Sequence, residues 1–257
     1  MNIILQGAPG VGKTYAARRL AYSLMGEKND DRIAFVQFHQ NYSYEDLMMG
    51  YRPCGDGFVL RHGVFYEFCK KAEKDPGRDY FFIIDEINRG NLSKIFGELL
   101  MLIERGYRNT EITLAYNGES FSVPDNLYII GLMNTADRSL AMIDYALRRR
   151  FSFIEMAPAF ESDGFKAYQK SLDNEMFDDL IDRIKALNDE ISSDRSLGRG
   201  FCIGHSYFCG QDKDSCTKAW MQEVVDFDIL PMLSEYWFDD ENKLQHWKDI
   251  LREAFNE

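Results

Sequence analysis

A chain of 257 residues with 45% hydrophobic and 28% charged residues has the composition of a globular protein, with enough chain for one large domain or two smaller ones. No apolar run approaches the roughly 20 residues that span a membrane, and no signal peptide is visible at the N-terminus. Five cysteines without a CxxC pair argue against a disulfide framework, so we expect a cytoplasmic protein without a membrane partner.

The net charge of −12 is concentrated in the last third of the chain. Residues 159–257 contain 22 acidic and 11 basic side chains, whereas residues 1–158 are close to neutral. An acidic surface repels DNA phosphates. We therefore expect that most of this chain does not touch nucleic acid.

Five apolar segments have the character of buried strands, at 2–6, 33–38, 80–84, 127–132 and 151–155. Segments with helical spacing lie between them, at 14–24, 64–72 and 93–104. Strands that alternate with helices predict an α/β domain whose parallel sheet is covered on both faces, a three-layer arrangement. Residues 111–123 alternate polar and apolar side chains around Asn117-Gly118, which predicts a β-hairpin inserted in this domain.

The character of the chain changes after Pro158. Helical patterns at 165–172, 176–191, 216–233 and 244–255 predict a small helical domain over 159–257, after an α/β domain over 1–158. Cys202, Cys209 and Cys216 surround His205 in this part. A zinc site is one interpretation, and we favour free thiols because structural zinc ligands usually occur as close pairs.

The first motif is a phosphate-binding loop between a predicted strand and a predicted helix. Backbone N–H groups of such a loop turn toward phosphate oxygens, and the helix adds its positive N-terminal end. The motif lysine, Lys13, would contact the β- and γ-phosphates, and the Thr14 hydroxyl would bind Mg²⁺. The predicted nucleotide-binding residues are Gly7, Ala8, Pro9, Gly10, Val11, Gly12, Lys13, Thr14 and Tyr15.

The second motif is an apolar strand, 81–84, that ends in the carboxylates Asp85 and Glu86. Ligands of open α/β sheets bind at the carboxyl ends of the strands. Asp85 is placed to hold the Mg²⁺ and its water shell, and Glu86 can act as the general base on the attacking water. The pair predicts hydrolysis as well as binding.

The third motif is Met133-Asn134-Thr135-Ala136-Asp137-Arg138-Ser139, directly after the fourth predicted strand. Asn134 is a candidate for holding the lytic water near the γ-phosphate. One alternative is a turn capped by an asparagine. Another is the guanine-reading Asn-Lys-x-Asp pattern of Ras-like GTPases, which we disfavour because Thr135 replaces the lysine.

The fourth motif is Arg148-Arg149-Arg150, before the fifth predicted strand. Adjacent arginines are costly to bury unless anions pair with them. We interpret Arg149 as an arginine finger that reaches the γ-phosphate of a neighbouring subunit, which requires an oligomer. The alternative is a solvated basic turn.

These four motifs in this order resemble the AAA+ superfamily. A closer resemblance, over nearly the whole chain, is to the McrB family, the motor subunits of McrBC modification-dependent restriction systems. The segments that carry it are Val36-Gln37-Phe38-His39, Tyr42-Ser43-Tyr44-Glu45-Asp46, Gly50-Tyr51-Arg52-Pro53, Asp85-Glu86-Ile87-Asn88-Arg89, the third motif, Asp144 to Phe151, and Gly204-His205-Ser206-Tyr207-Phe208.

The resemblance implies a hexameric ring that hydrolyses GTP where most AAA+ relatives use ATP. It also implies an McrC-like endonuclease subunit as partner, and cleavage of DNA that carries methylated cytosine, with DNA contacted indirectly or through the ring pore. By position, Asn134 matches sensor 1 and Arg149 the trans-acting finger. Residues 198–207 match the sensor 2 region of the lid, where we place His205 and Ser206 close to the nucleotide.

Two departures from the family are visible. Cys202 stands where some relatives have a basic residue, so Arg199 becomes the candidate for sensor 2. Met1 lies one residue before the first predicted strand, so we expect the module that reads modified DNA to be missing from this chain. The alternatives are a MoxR-like ATP-dependent remodeller and a nucleotide-gated scaffold, which would keep its function when Glu86 is replaced by glutamine.

Overall fold

The computed structural model describes residues 2–137 and 148–255. The chain divides into two compact units, the first made of the residues up to Gln6 and Lys13–Glu155, the second of Gly7–Gly12 and Met156–Glu257. The end of the third motif, Arg138-Ser139, and the segment Asp144-Tyr145-Ala146-Leu147 before the arginines lie outside the described residues.

Five strands form one sheet and four form two hairpins within the described ranges. The strands are β1 (Asn2–Gly7), β2 (Ile33–Gln37), β3 (Met49–Cys54), β4 (Gly57–His62), β5 (Tyr80–Asp85), β6 (Ile112–Thr113), β7 (Ser120–Phe121), β8 (Leu127–Asn134) and β9 (Ser152–Met156). The sheet has the order β2-β5-β8-β1-β9. All five strands that the sequence predicted are confirmed, with ends that differ by one or two residues.

The centre of the sheet is apolar because its middle strands are covered on both faces. Phe81, Phe82, Ile83 and Ile84 of β5 have no exposed surface. This strand runs parallel to β2 and β8, with Phe82 opposite Ala34 of one neighbour and Ile129 of the other. A continuous apolar run is the pattern of a parallel strand buried on both faces.

The helices of the first unit are α1 (Lys13–Met25), α2 (Tyr44–Leu47), α3 (Val64–Glu73), α4 (Leu92–Phe96) and α5 (Leu99–Leu102). The prediction of one helix over 93–104 is wrong, because Gly97 has a φ of 50° and ends α4. A left-handed residue cannot continue a right-handed helix, and glycine adopts that conformation at low cost.

Two β-hairpins accompany the sheet. The predicted one is confirmed, with Ile112 of β6 opposite Phe121 of β7. The second joins β3 to β4 with Cys54 opposite Gly57, and it was not predicted. Its turn contains Gly55-Asp56, where Gly55 has a φ of 58°, so this dipeptide was the available signal.

The second unit is helical after β9, as predicted. Its helices are α6 (Asp163–Leu172), α7 (Glu175–Ser193), α8 (Lys218–Glu223), α9 (Leu230–Tyr236) and α10 (Glu241–Glu253). The single helix predicted over 216–233 is interrupted by a π-helical segment, Val224–Ile229, next to Pro231 in the first turn of α9. Proline has no N–H to donate to the preceding turn, which accounts for a break at this point.

The longest lid helix, α7, carries the apolar stripe of an amphipathic helix. Its buried residues are Phe177, Leu180, Ile181, Ile184, Leu187 and Ile191. The spacing of three and four residues places them on one face, against the rest of the unit. Over the described ranges, no helix combines the length and the apolar character that crossing a membrane requires.

Candidate functional site

The glycine-rich loop after β1 has the backbone that its sequence predicts. Gly10 and Gly12 have φ values of 73° and 78°, in the left-handed region that L side chains rarely adopt. Ala8 and Val11 between the glycines are buried, which anchors the loop. Gly10 and Gly12 are therefore required by backbone conformation. Lys13, the next residue, belongs to the first unit.

Within the second unit, the segment Gly204–Tyr207 is bonded directly to this loop. The N–H of Gly204 donates to the carbonyl of Pro9 at 3.1 Å, and the N–H of Ser206 donates to the carbonyl of Gly10 at 2.9 Å. A Cβ on Gly204 would lie 1.9 Å from the carbonyl carbon of Gly10. A Cβ on Gly10 would lie 2.4 Å from the ring of Tyr207. Only glycine allows this approach from either side.

His205 lies in the same contact with a defined tautomer. Its Nδ1 accepts the N–H of Ala159 at 3.1 Å, so the ring proton of the neutral imidazole is on Nε2. The Nε2 atom is 3.8 Å from the position of a Cβ on Gly12. Burial lowers the pKa of His205 below its ordinary value, which favours this neutral form. His205 therefore presents a donor next to the phosphate loop.

In the first unit, α1 begins with the motif lysine, and β5 ends with the two predicted carboxylates. Burial lowers the pKa of Lys13, and the charges of Glu86 and then Asp85 oppose that change. Lys13 is thus within electrostatic reach of both carboxylates. Thr14 and Tyr15 follow on the exposed side of α1, and the Tyr15 ring lies 4.9 Å from the guanidinium carbon of Arg19.

The two carboxylates differ in their surroundings. Burial raises the pKa of Asp85, although its Oδ1 accepts the N–H of Glu86 at 3.0 Å. Glu86 has a φ of 51° and a ψ of 44°, a left-handed conformation that costs a non-glycine residue free energy. Strained backbone of this kind persists mainly where the surrounding structure fixes it, and functional sites are enriched in it.

Asn134 is the last residue of β8, the strand next to β5. Ile84 of β5 lies opposite Gly131, so Asn134 is three residues further along β8. Its Oδ1 accepts the N–H of Ala136 at 3.1 Å. The side chain therefore caps the following turn, as one alternative predicted, and this bond leaves the Nδ2 hydrogens to donate elsewhere.

The arginines before β9 have different environments. Arg150 has 8% of its side chain exposed, pairs with Glu104 at 2.8 Å and donates from Nε to the carbonyl of Leu100 at 2.6 Å. Arg149 has 69% of its side chain exposed and also contacts Glu104, at 3.0 Å. Arg150 is thus part of the packing, and Arg149 is directed outward, the property that a trans-acting finger needs.

Two features of the site were missed by sequence reasoning. Arg89 contacts Glu86 at 3.0 Å and Asp137 at 3.3 Å, which links the ends of β5 and β8. The close approach of Gly204 to Gly10 is the second. The spacing of three residues between Glu86 and Arg89 was a possible signal for the first, whereas no local pattern indicates the second.

The lid cysteines are free thiols in the structure. Cys202 and Cys216 are buried, and the Sγ of Cys209 contacts the carbonyl of His205 at 3.3 Å. Across residues 2–137 and 148–255, no group of three or more His, Cys, Asp or Glu side chains is arranged to hold a metal ion. Arg199, the sensor 2 candidate, is exposed in a short turn, Arg199–Phe201.

Two protein families match this chain, one over its α/β part and one over its helical part. Residues 2–151 match the family described as AAA domain (dynein-related subfamily). Residues 179–245 match the family described as McrB, alpha-helical lid domain.

Individual relatives are also similar. The type IV methyl-directed restriction enzyme EcoKMcrB subunit of Escherichia coli K12 is 54% identical over 97% of this chain and 57% of its own length. The type II restriction enzyme BsuMI component YdiS of Bacillus subtilis is 27% identical over 91% of this chain and 78% of its own length. An ATP-dependent protease ATP-binding subunit-like protein of Rhodococcus erythropolis is 27% identical over 71% of this chain and 50% of its own length.

Proposed function

The chain belongs to the AAA family, in the dynein-related subfamily, and on that premise we propose that it is the nucleotide-hydrolysing motor of an McrBC-type restriction system. The observation that carries the proposal is that Lys13, at the start of α1, lies within electrostatic reach of Asp85 and Glu86 at the end of β5. A cation for the phosphates and a carboxylate for the water are the minimum that phosphoryl transfer to water requires.

The nucleotide-binding residues of the proposal are the loop from Gly7 to Thr14, together with Tyr15, His205 and Ser206. Loop N–H groups and the Lys13 ammonium bind the phosphates, and the Nε2–H of His205 adds one donor next to Gly12. The donor set also fits Mg²⁺, because the Thr14 hydroxyl and the Asp85 carboxylate are both oxygen ligands. Bound there, the ion would supply positive charge that neutralises the phosphate oxygens.

Glu86 is the proposed general base. Its carboxylate takes a proton from the attacking water, while the water oxygen forms a bond to the γ-phosphorus and the bond to the β,γ-bridging oxygen breaks. Asn134 positions that water through its Nδ2 hydrogens. The products are a nucleoside diphosphate and inorganic phosphate.

Three observations support an assembled motor over an isolated enzyme. The outward Arg149 supplies a charge suited to a neighbouring subunit's nucleotide. The E. coli relative, named as a subunit of a methyl-directed restriction enzyme, is 54% identical to this chain. The lid match is specific to McrB. We therefore propose a hexameric ring, GTP as the substrate, an McrC-like endonuclease subunit as partner, and modified DNA as the target of the complex.

The chain spans 57% of the length of the E. coli relative. The function of the whole system is tested with the partner subunit present. Steady-state hydrolysis is measured with GTP and with ATP, each with and without the McrC-like subunit. The proposal predicts turnover of GTP that the partner increases. Turnover of ATP alone, without a response to the partner, would contradict the GTP-specific motor.

A second candidate is a MoxR-like remodeller that uses ATP to act on proteins. The observation that favours it is the similarity to an ATP-binding subunit-like protein of an ATP-dependent protease. Its identity is 27%, half of the value for the restriction subunit, so we rank it second. Stimulation of ATP turnover by an unfolded protein substrate, and none by the McrC-like subunit, would favour it.

A further inference from the structure

The candidate base is held by the side chain of Arg89, which lies outside the four sequence motifs. Glu86 is followed by one 3₁₀ turn, Ile87–Arg89, in which the N–H of Arg89 donates to the carbonyl of Glu86 at 2.9 Å. This turn brings the guanidinium back over the carboxylate, and Nε donates to Oε2 at 3.0 Å. The contact fixes the carboxylate through one oxygen and leaves the other oxygen, Oε1, outside this bond.

Arg89 has a second anionic partner, Asp137, in the segment that follows the neighbouring strand β8. Its Nη2 atom lies 3.3 Å from Oδ2 of Asp137, three residues beyond Asn134. The guanidinium therefore joins the segment after β5 to the segment after β8. These segments carry the proposed base and the residue proposed to hold the water.

The two carboxylates of this bridge are partly shielded from water, whereas the guanidinium is exposed. The side chains of Glu86 and Asp137 are 20% and 23% exposed, and that of Arg89 is 42% exposed. Partial shielding from water strengthens charge interactions, and a hydrogen bond to a charged group is stronger than a neutral one. The pKa of Arg89 is raised, first by its hydrogen bond to Glu86, with a smaller contribution from Asp137.

We propose that Arg89 is a positioning residue for hydrolysis: it holds the Glu86 carboxylate by Oε2 and ties it to the Asn134 segment through Asp137. The inference rests on the proposed function, because it concerns how the base of that reaction is oriented. A glutamate has several rotatable bonds, and a misplacement of about 1 Å in a reacting group can cost about 100-fold in rate. Arg89 restricts that freedom through its hydrogen bond to Oε2.

The test is steady-state kinetics on the full chain with its preferred nucleotide. Arg89→Ala is expected to lower kcat about 10- to 100-fold at unchanged KM, because the base is misplaced and binding groups remain. Arg89→Lys keeps the charge but not the two-armed geometry, so it recovers part of the rate. Asp137→Asn keeps the Glu86 contact and loses the second anion, so its kcat falls less.

A matched control is Arg78→Ala. Arg78 forms an i,i+3 pair with Asp75, as Arg89 does with Glu86, but at 4.0 Å and with 65% of its side chain exposed. This variant is expected to hydrolyse at the wild-type rate. Thermal unfolding of every variant shows whether a lost rate reflects lost folding, and Asp137→Asn remains informative if Arg89→Ala does not fold.

A double-variant comparison separates positioning from a general structural role. Aspartate at position 86 is one methylene shorter, so Glu86→Asp already breaks the contact with Arg89. Adding Arg89→Ala to Glu86→Asp is then expected to change kcat less than twofold. If the loss of kcat in the double variant equals the product of the losses in the two single variants, the inference is overturned. A kcat of Arg89→Ala that equals or exceeds the wild-type value would also overturn it.

The outcomes also distinguish this inference from the proposed function. A wild-type chain that hydrolyses no nucleotide, or a Glu86→Gln variant with full turnover, contradicts the proposed function. Wild-type turnover that Glu86→Gln abolishes and Arg89→Ala leaves unchanged contradicts only the role of Arg89.

Discussion

The N–H of Gly204 donates to the carbonyl of Pro9 at 3.1 Å, so the lid segment that carries His205 is bonded to the phosphate loop by backbone atoms. The neighbouring bond from Ser206 to Gly10 makes this a two-point attachment. Because backbone groups form both bonds, the attachment depends on how closely the two segments of the chain approach each other. The short distance between these segments is possible because glycine, at position 204, has no side chain.

The variant Gly204→Ala is expected to separate the loop from this segment. Its Cβ would meet the carbonyl carbon of Gly10 at 1.9 Å and the carbonyl oxygen of Pro9 at 2.5 Å, and backbone atoms cannot rotate away. Overpacking together with the loss of two hydrogen bonds predicts about 2–4 kcal/mol lower stability. Denaturant unfolding and nucleotide titration check this, and both the free energy of unfolding and the affinity should fall.

The control for that variant is Gly164→Ala. Gly164 lies in α6 of the same unit, and a Cβ there has no heavy atom within 4 Å. Alanine is the better helix former by about 1 kcal/mol, so this variant should be as stable as the wild type or more stable. Equal destabilisation by both substitutions would contradict the account of Gly204.

His205 predicts a defined pH dependence. Burial lowers its pKa in the folded chain, so the unfolded chain binds more protons below about pH 6.5. The free energy of unfolding should therefore fall as the pH drops from about 7 to 5. His205→Asn retains an acceptor in place of Nδ1 for the N–H of Ala159 but cannot titrate.

The measurement is the difference in unfolding free energy between wild type and His205→Asn across that pH range. His39, His62 and His246 are present in both proteins, so their contributions cancel. The account predicts that the wild type loses stability relative to the variant as the pH falls. If the stability of the wild type relative to the variant stays constant or rises as the pH falls, the neutral form of His205 in the folded chain is refuted.

Arg149 and Arg150 predict opposite phenotypes. Arg150→Ala removes a buried side chain that pairs with Glu104 and donates to the carbonyl of Leu100, and it should destabilise the chain by about 1–3 kcal/mol while Glu104 keeps its contact with Arg149. Arg149→Ala removes an exposed pair and should change stability by less than about 1 kcal/mol. If Arg149 is the trans-acting finger, hydrolysis by the assembled protein should fall about 1,000-fold or more while nucleotide binding by the monomer persists.

Unfolding and hydrolysis measured on both variants separate these roles. Loss of nucleotide binding in the Arg149→Ala monomer would place this arginine in its own subunit's site. Destabilisation of Arg149→Ala as large as that of Arg150→Ala would show that both arginines are structural.

The parts of the fold that were predictable from sequence are those with a strong local pattern. The phosphate loop combines glycines, a lysine and a preceding apolar strand within a dozen residues, and β5 is an unbroken apolar run. The β3–β4 hairpin was missed because Pro53 interrupts its alternation and the sequence on either side of the Gly55-Asp56 turn does not alternate regularly between polar and apolar residues. Similarly, Gly97 is one residue in an otherwise continuous helical pattern.

The sequence predicts the candidate site as a set of residues and not as an arrangement. Motif positions identified Lys13, Asp85, Glu86 and Asn134, because each follows or begins an element with a clear pattern. The contact of Arg89 with Asp137 joins two different strands, and the contact of Gly204 with Pro9 joins segments at opposite ends of the chain. Tertiary packing decides such contacts, and local sequence carries no record of them.

The central claim, that Glu86 acts as the base of a nucleotide-hydrolysing site, is tested most directly with Glu86→Gln. Glutamine preserves the shape of the side chain and cannot accept the proton from water, whereas the phosphate loop and Lys13 are unchanged. Nucleotide affinity and turnover are measured on the same preparations of wild type and variant. The account predicts unchanged affinity with turnover reduced at least about 100-fold, and a variant that hydrolyses at the wild-type rate would contradict it.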